Sequence, residues 1–173
     1  MELTHADDSR GVTTSYVDSS IRSNGYDVFI SFRGSDTRNT FVDHLYSHLV
    51  RKGIFVFKDD TQLRKGESIS PQLLQAIQRS RVSIIVFSKD YASSTWCLDE
   101  MAAIAQCRAE LKQIVFPVFY DVDPSHVRKQ NGVYESAFVL HTKQFGYGSE
   151  KVARWRRAIT CLAESAGWDV RNK

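Results

Sequence analysis

The sequence predicts a doubly wound α/β domain, and three observations predict it. Short, nearly continuous apolar runs such as Tyr26-Asp-Val-Phe-Ile-Ser-Phe32 and Val82-Ser-Ile-Ile-Val-Phe87 alternate with helix-period segments four times. Runs of that kind are strands buried on both faces, and such strands belong to parallel sheets covered by helices. The chain is 173 residues long, which suits one domain. Its composition, 42% hydrophobic and 25% charged, excludes a disordered chain, a collagen and a disulfide-stapled mini-protein.

Residues 1–24 have no apolar core and are rich in Ser, Thr and Asp, so they read as a flexible leader, not a secretory signal. The first strand is Tyr26 to Phe32. Arg33 to Arg38 reads as a loop with a helix-start signal at Asp36 or Thr37. From Thr40 to Lys52, Phe41, Val42, Leu45, Tyr46, Leu49 and Val50 recur at helical spacing, and Gly53 fits the stop. Ile54 to Phe57 is a second strand, followed by a charged loop from Lys58 to Ile69 around Leu63 and Gly66. Ser70 with Pro71 is an N-cap followed by a first-turn proline, opening a helix that carries Leu73, Leu74 and Ile77. Val82 to Phe87 is the third strand, residues 96–111 a helix, and Ile114 to Val122 the fourth strand. Asp123-Pro124-Ser125 starts a helical region. Val133 to Leu140 reads as helix in preference to a fifth strand. The last helix runs from Glu150 to Ala166, with Val152, Trp155, Ile159, Leu162 and Ala163 on one face. The result is flavodoxin-like in size, with the strand order left open.

In such sheets ligands bind beyond the carboxyl ends of the strands, here the loops after Phe32, Phe57, Phe87 and Val122. Neither phosphate-binding glycine signature is present, nor is a G-x-S-x-G elbow, which disfavours ordinary ATPase, dehydrogenase and α/β-hydrolase readings. The first loop ends a strand and opens a helix. Its backbone N–H groups, with Arg33 and Arg38, suit a pyrophosphate, the bland alternative being a solvated turn. Trp96 and Glu100, four apart at a helix start, share a face beside the stripe of Cys97, Met101 and Ile104. An aromatic plate beside a carboxylate can hold a cationic ring and act on the bond next to it, the bland alternative being that Trp96 is core and Glu100 merely favours the helix N-terminus. His44 and His48 have a metal-compatible spacing but share a polar face with Thr40, Asp43, Ser47 and Arg51 and lack a third ligand, so no metal is expected. Asp59-Asp60 and the pair Asp121/Asp123 resemble metal-binding acids only loosely, the bland alternative being loop-capping aspartates. Cys97, Cys107 and Cys161 form neither a disulfide framework nor a zinc pattern, which fits a reducing, intracellular compartment. No apolar run approaches the roughly 18 to 20 residues that span a bilayer. A net charge of +3 does not point to nucleic acid.

Four motifs carry a family resemblance. Tyr26-Asp-Val-Phe-Ile-Ser-Phe-Arg-Gly-Ser-Asp-Thr-Arg38 resembles the opening motif of plant TIR (Toll/interleukin-1 receptor) domains. So do Asp59-Asp60 with Leu63 to Ile69, Ser88 to Glu100 containing Ser-Ser-Thr-Trp-Cys-Leu-Asp-Glu, and Phe116-Pro-Val-Phe-Tyr-Asp-Val-Asp-Pro-Ser-His-Val-Arg128. The resemblance covers Tyr26 to Val170. It places a TIR domain at residues 25–170, leaving 171–173 as a tail. It is to the N-terminal domain of intracellular immune receptors that also carry nucleotide-binding and leucine-rich-repeat regions. Those receptors run on for hundreds of residues, so the chain is expected to be a fragment of one or a short TIR protein.

The resemblance implies a five-stranded flavodoxin-like parallel sheet with helices on both faces. It also implies NAD+ cleavage by self-associated domains, giving nicotinamide and ADP-ribose or cyclic ADP-ribose, with defence and cell death as the readout. NAD+ or NADP+ is then a substrate and no cofactor is needed. The expected setting is the cytoplasm, with the nucleus as a second site, no membrane and no nucleic acid. The family's catalytic glutamate falls on Glu100 and its aromatic platform on Trp96. Its mobile loop falls on Asp59 to Ile69, with Gly66, Ser68 and Ile69 toward substrate. The nucleotide-contacting segment falls on Arg33, Gly34, Ser35, Asp36, Thr37 and Arg38. Self-association falls on Asp43 and His44, where some members have Ser-His, and on Arg154 with Lys151 and Arg157. The nicotinamide of NAD+ is already cationic and departs neutral, so one carboxylate suffices where ordinary glycosidases use two. Glu100 would hold the ribose hydroxyls and stabilise an oxocarbenium-like centre. The competing reading is a non-catalytic TIR–TIR scaffold, which would not need Glu100 and Trp96 together. A third, a nuclease, gains little from the charge.

Overall fold

The computed structural model describes residues 25–59 and 68–171. The expected leader, Leu63, Gly66 and the last two tail residues therefore lie outside the described residues. Five strands, β1 (Tyr26–Phe32), β2 (Val56–Lys58), β3 (Ser80–Phe87), β4 (Ile114–Tyr120) and β5 (Trp168–Val170), form one sheet in the order β2-β1-β3-β4-β5. Every pairing is parallel. The helices are α1 (Gly34–Thr37), α2 (Asp43–Arg51), α3 (Pro71–Gln78), α4 (Thr95–Leu111), α5 (Pro124–Lys129), α6 (Val133–Phe145) and α7 (Glu150–Ala163). The doubly wound prediction holds, and Val133 to Leu140 is helical as read.

Local chemistry sets most boundaries. The Ser70 hydroxyl accepts from the Leu73 N–H at 3.2 Å, and Pro71 opens α3. The Ser94 hydroxyl caps α4 by accepting from the Cys97 N–H at 3.2 Å. Each cap satisfies an N–H that the helix itself leaves without a partner. Gly53, at φ 78°, ends the helical stretch that began before it, as expected.

The structure departs from the sequence reading in several places. The second strand is Val56–Lys58, two residues later at its start than Ile54 to Phe57. Arg33 to Arg38 is not a plain loop: α1 is already a helical turn, and a π-helical stretch, Arg38–Val42, carries it into α2. The Thr37 hydroxyl donates to the Arg33 carbonyl at 2.7 Å, closing that turn early. Val50 is exposed, so the buried stripe of α2 narrows to half-buried Leu45, Tyr46 and Leu49. The strand before Val122 ends at Tyr120, because Asp121 adopts a left-handed backbone with φ 51°. The last helix stops at Ala163, not Ala166, and a fifth strand follows that no residue pattern announced. Gly167 permits this strand, because a Cβ there would lie 2.4 Å from the Pro117 carbonyl oxygen.

The sheet separates two cores. Phe29, Ile85, Phe87 and Phe119 face α3, α4 and α7 on one side. Val28, Ile30, Phe32, Val86 and Val118 face α2 on the other. With β1 sending its crossover one way to β2 and β3 the other way to β4, the switch point lies between the ends of β1 and β3.

Candidate active site

Helix α4 starts at that switch point and is enclosed by the sheet, α3 and α7. Trp96, Cys97, Leu98, Glu100, Met101, Ala103 and Ile104 are all buried. Trp96 and Glu100 therefore share a face as predicted, but that face is interior. Glu100 is 0% exposed and Trp96 6%, so Trp96 does not present an open aromatic plate.

Three elements converge on the Glu100 carboxyl. From β1, the Ser31 hydroxyl donates to Oε2 at 2.6 Å. From the first turn of α4, the Trp96 indole N–H reaches Oε1 at 3.1 Å. The same N–H reaches Oδ2 of Asp59 at 2.9 Å, just after β2. Behind Ser31, the Tyr91 hydroxyl lies 2.8 Å from its Oγ and also 3.1 Å from the Cys97 carbonyl. Ser31 has one proton. When it gives that proton to Glu100, its oxygen is free to accept from Tyr91.

Burial pushes the Glu100 carboxyl well above the usual glutamate range. The Ser31 and Trp96 hydrogen bonds pull against this, whereas the Asp59 charge and a hydrogen bond to Asp59 add to it. The Cys97 thiol is raised by burial first and by Glu100 next, with Arg33 lowering it and Asp36 raising it. Glu100, Arg33 and Asp36 thus act on one buried point. Burial likewise keeps the Tyr91 phenol protonated.

Around this point the loops after β1 and β3 hold buried polar atoms that find no hydrogen-bond partner: Arg33 Nε, Asp36 Oδ1 and Ser88 Oγ. The other oxygen of Asp36 accepts from the Asp90 N–H at 3.1 Å, tying the two loops together. Unsatisfied buried donors and acceptors are uncommon and mark a place where a polar ligand would find partners.

The remaining sequence candidates distribute as follows. Gly34 lies half-buried at the start of α1, Ser35 is exposed on it and Thr37 is buried, while Arg38 belongs to the π-helical stretch. Ser68 and Ile69 line a second cleft, of about 450 Å3, together with Asp99, Glu150, Lys151 and Arg154. His44 and His48 are exposed on α2. Asp43 is engaged within the fold, its Oδ1 2.8 Å from Lys58 Nζ. Sequence reasoning missed Ser31 and Tyr91, and placed Asp59 only as a loop-capping acid at the start of the expected mobile loop. The signal for Ser31 was present: one hydroxyl inside an otherwise apolar, doubly buried strand needs a partner.

A family model for the TIR domain matches residues 25–173. Disease resistance protein RPV1 of Vitis rotundifolia is 52% identical over 161 residues, 93% of this chain and 11% of that protein. TMV resistance protein N of Nicotiana glutinosa is 48% identical over 142 residues, 82% of this chain and 12% of that protein. The chain spans about a tenth of the length of these curated relatives. Among solved structures, the TIR domains of the activated Roq1 resistosome, which directly recognizes the pathogen effector XopQ, match with 51% identity and a TM-score of 0.77. That match covers 86% of this chain and 90% of the other. The sheet order, the motif positions and these likenesses agree, and the chain belongs to the TIR domain family, among the TIR domains of plant disease resistance proteins.

Proposed function

We propose that this TIR domain, spanning residues 25–170, cleaves NAD+ when it self-associates, releasing nicotinamide and ADP-ribose or its cyclic form as a signal for defence and cell death. The observation that carries the reading is the Glu100 carboxyl, fixed by Ser31 and Trp96 at the switch point of the sheet. Rigid placement of one carboxylate is what stabilisation of a ribosyl oxocarbenium requires. In hydrolysis the C1′–N bond breaks, its electron pair leaves with neutral nicotinamide, and water adds to C1′ and gives up a proton. Glu100 serves as an anion beside the ribose hydroxyls, and no acid is needed for the leaving group. The partnerless Arg33 Nε offers a donor to the pyrophosphate, and Asp36 Oδ1 and Ser88 Oγ offer polar contacts alongside. Gly66, Ser68 and Ile69 complete the substrate site in this reading.

Self-association is proposed through Asp43, His44 and Arg154. The likeness to TIR domains found within an activated resistosome supports it. The cytoplasm, with the nucleus, is the proposed setting. The scaffold reading draws on a different observation, the complete burial of Glu100, which no substrate reaches without rearrangement. Nicotinamide release by purified protein, measured from dilute to concentrated solution, separates the two. Release that rises faster than concentration and is absent in Glu100→Gln supports the enzyme. Assembly without any release supports the scaffold.

A further inference from the structure

We propose that Tyr91 is a positioning residue that acts on Glu100 through Ser31, its hydroxyl turning between the Cys97 carbonyl and Ser31 Oγ so that one buried chain of hydrogen bonds can run in either direction. For its consequence on nicotinamide release the inference rests on Glu100 being the catalytic carboxylate. The hydrogen-bond chain itself does not.

Four groups stand in line. Glu100 Oε2 lies 2.6 Å from Ser31 Oγ, Ser31 Oγ lies 2.8 Å from the Tyr91 hydroxyl, and that hydroxyl lies 3.1 Å from the Cys97 carbonyl oxygen. Ser31, Tyr91, Cys97 and Glu100 are each fully buried. The Tyr91 ring is held in place. It opens the short helical turn Tyr91–Ser93 after β3 and packs edge-on against Phe87, with ring centroids 5.2 Å apart. A hydroxyl hydrogen can turn where its heavy atoms cannot.

The chain has two complete arrangements. With Glu100 protonated on Oε2, the carboxyl donates to Ser31, Ser31 to Tyr91, and Tyr91 to the Cys97 carbonyl. With Glu100 ionised, Tyr91 donates to Ser31 and Ser31 to the carboxylate. Passage between them turns two hydroxyls and moves no ring. The ionised arrangement gains more from Tyr91, because a donor behind Ser31 strengthens the bond that Ser31 makes to a charge. Tyr91 keeps its hydrogen at ordinary pH. Burial above all, then Cys97 and Glu100, and lastly Tyr134 of α6 disfavour its phenolate. The other groups around Glu100 are constants of the comparison. The Trp96 N–H favours its anion and Asp59 disfavours it, while Arg33 and Asp36 act on the neighbouring Cys97 with opposite signs. Removing one hydroxyl at position 91 replaces none of them.

The test is a carboxyl 13C NMR titration of the full chain carrying labelled glutamate, with the Glu100 resonance assigned by its loss in Glu100→Gln. Tyr91→Phe keeps the ring and removes the hydroxyl. The Glu100 midpoint then rises by about half a pH unit. The acid limb of nicotinamide release moves up with it, and kcat falls with little change in KM. In a Ser31→Ala background, Tyr91→Phe moves the midpoint no further. A folded Tyr91→Phe protein whose Glu100 midpoint is unmoved or lowered overturns the proposal. So does an equal rise with and without Ser31, which would make Tyr91 a packing residue only. If Tyr91→Phe does not fold, the parent labelled at tyrosine Cζ decides. One tyrosine resonance then follows the Glu100 midpoint in the parent and none follows it in Ser31→Ala, and a parent with no such resonance overturns the proposal. If the parent releases no nicotinamide, the enzyme reading falls, while the titration still decides the role of Tyr91.

Discussion

Replacing Glu100 by glutamine should stabilise the protein, and increasingly so as pH rises. Burial raises the Glu100 carboxyl well above its ordinary 4.5. Between the unfolded and folded values, the native state keeps a proton that the unfolded chain has released. Native stability then falls with pH by up to about 1.4 kcal/mol per unit. The contribution is complete below the unfolded value and is lost as pH climbs through the folded one. This is the reverse of a salt-bridged surface carboxylate, whose contribution disappears in acid. Glutamine does not ionise, and its amide resembles the protonated acid in shape, so Ser31, Trp96 and Asp59 keep partners. The variant and the parent should therefore match near and below pH 4.5 and diverge above it. For a chain of this size a kilocalorie is about 2 to 4 °C, so the gap widens by up to about 3 to 6 °C per pH unit within that window. Thermal unfolding of both proteins at constant ionic strength, across a pH series, measures the gap. Parallel curves, or a glutamine variant that loses ground as pH rises, would refute the claim that Glu100 is buried as a neutral acid. The same variant should release no nicotinamide, so the site would gain stability as it loses chemistry.

Ser31→Ala removes a hydrogen bond that lowers the Glu100 value, so its nicotinamide release should begin at higher pH than in the parent. An unshifted acid limb in the pH–rate profile would remove Ser31 from the site. Gly167→Ala places a Cβ 2.4 Å from the Pro117 carbonyl oxygen and should cost about 1 to 3 kcal/mol. Hydrogen exchange should show the Asp121 N–H, which donates to the Val170 carbonyl at 3.1 Å, losing protection as β5 loosens. His44→Ala should weaken sedimentation-detected self-association while changing stability by no more than about 0.5 kcal/mol, because His44 is exposed. Asp43→Ala should lower the melting temperature more than His44→Ala, since it removes the ion pair between Asp43 and the largely buried Lys58. Equal melting temperatures for the two would show the Asp43–Lys58 pair to be inert.

Why some of this was legible in the sequence and some was not comes down to where each signal is stored. Strands β1 and β3 announce themselves because residues buried on both faces must be apolar over the whole run, and Phe29, Ile30, Ile85 and Val86 are. Helix starts at Ser70 and Ser94 are local chemistry, visible within four residues. Strand β5 is not local: Trp168–Val170 is three residues long with no buried residue, and exists because β4 offers an edge and Gly167 lets the chain approach it. The same division runs through the site. The pairing of Trp96 with Glu100 is written in helical spacing, but whether their face meets solvent depends on α3 and α7, which close over α4 from distant sequence. Hence the reading singled out Glu100 from its motif but not its burial. Asp59 illustrates the deeper reason. As a residue type at a strand end it is indistinguishable from a capping aspartate. Only the folded register of β2 against β1 brings it to the indole that also holds Glu100. A carboxylate can therefore be singled out from its motif, while the groups packed around it are supplied by topology, and a sequence search will find the first and pass over the second.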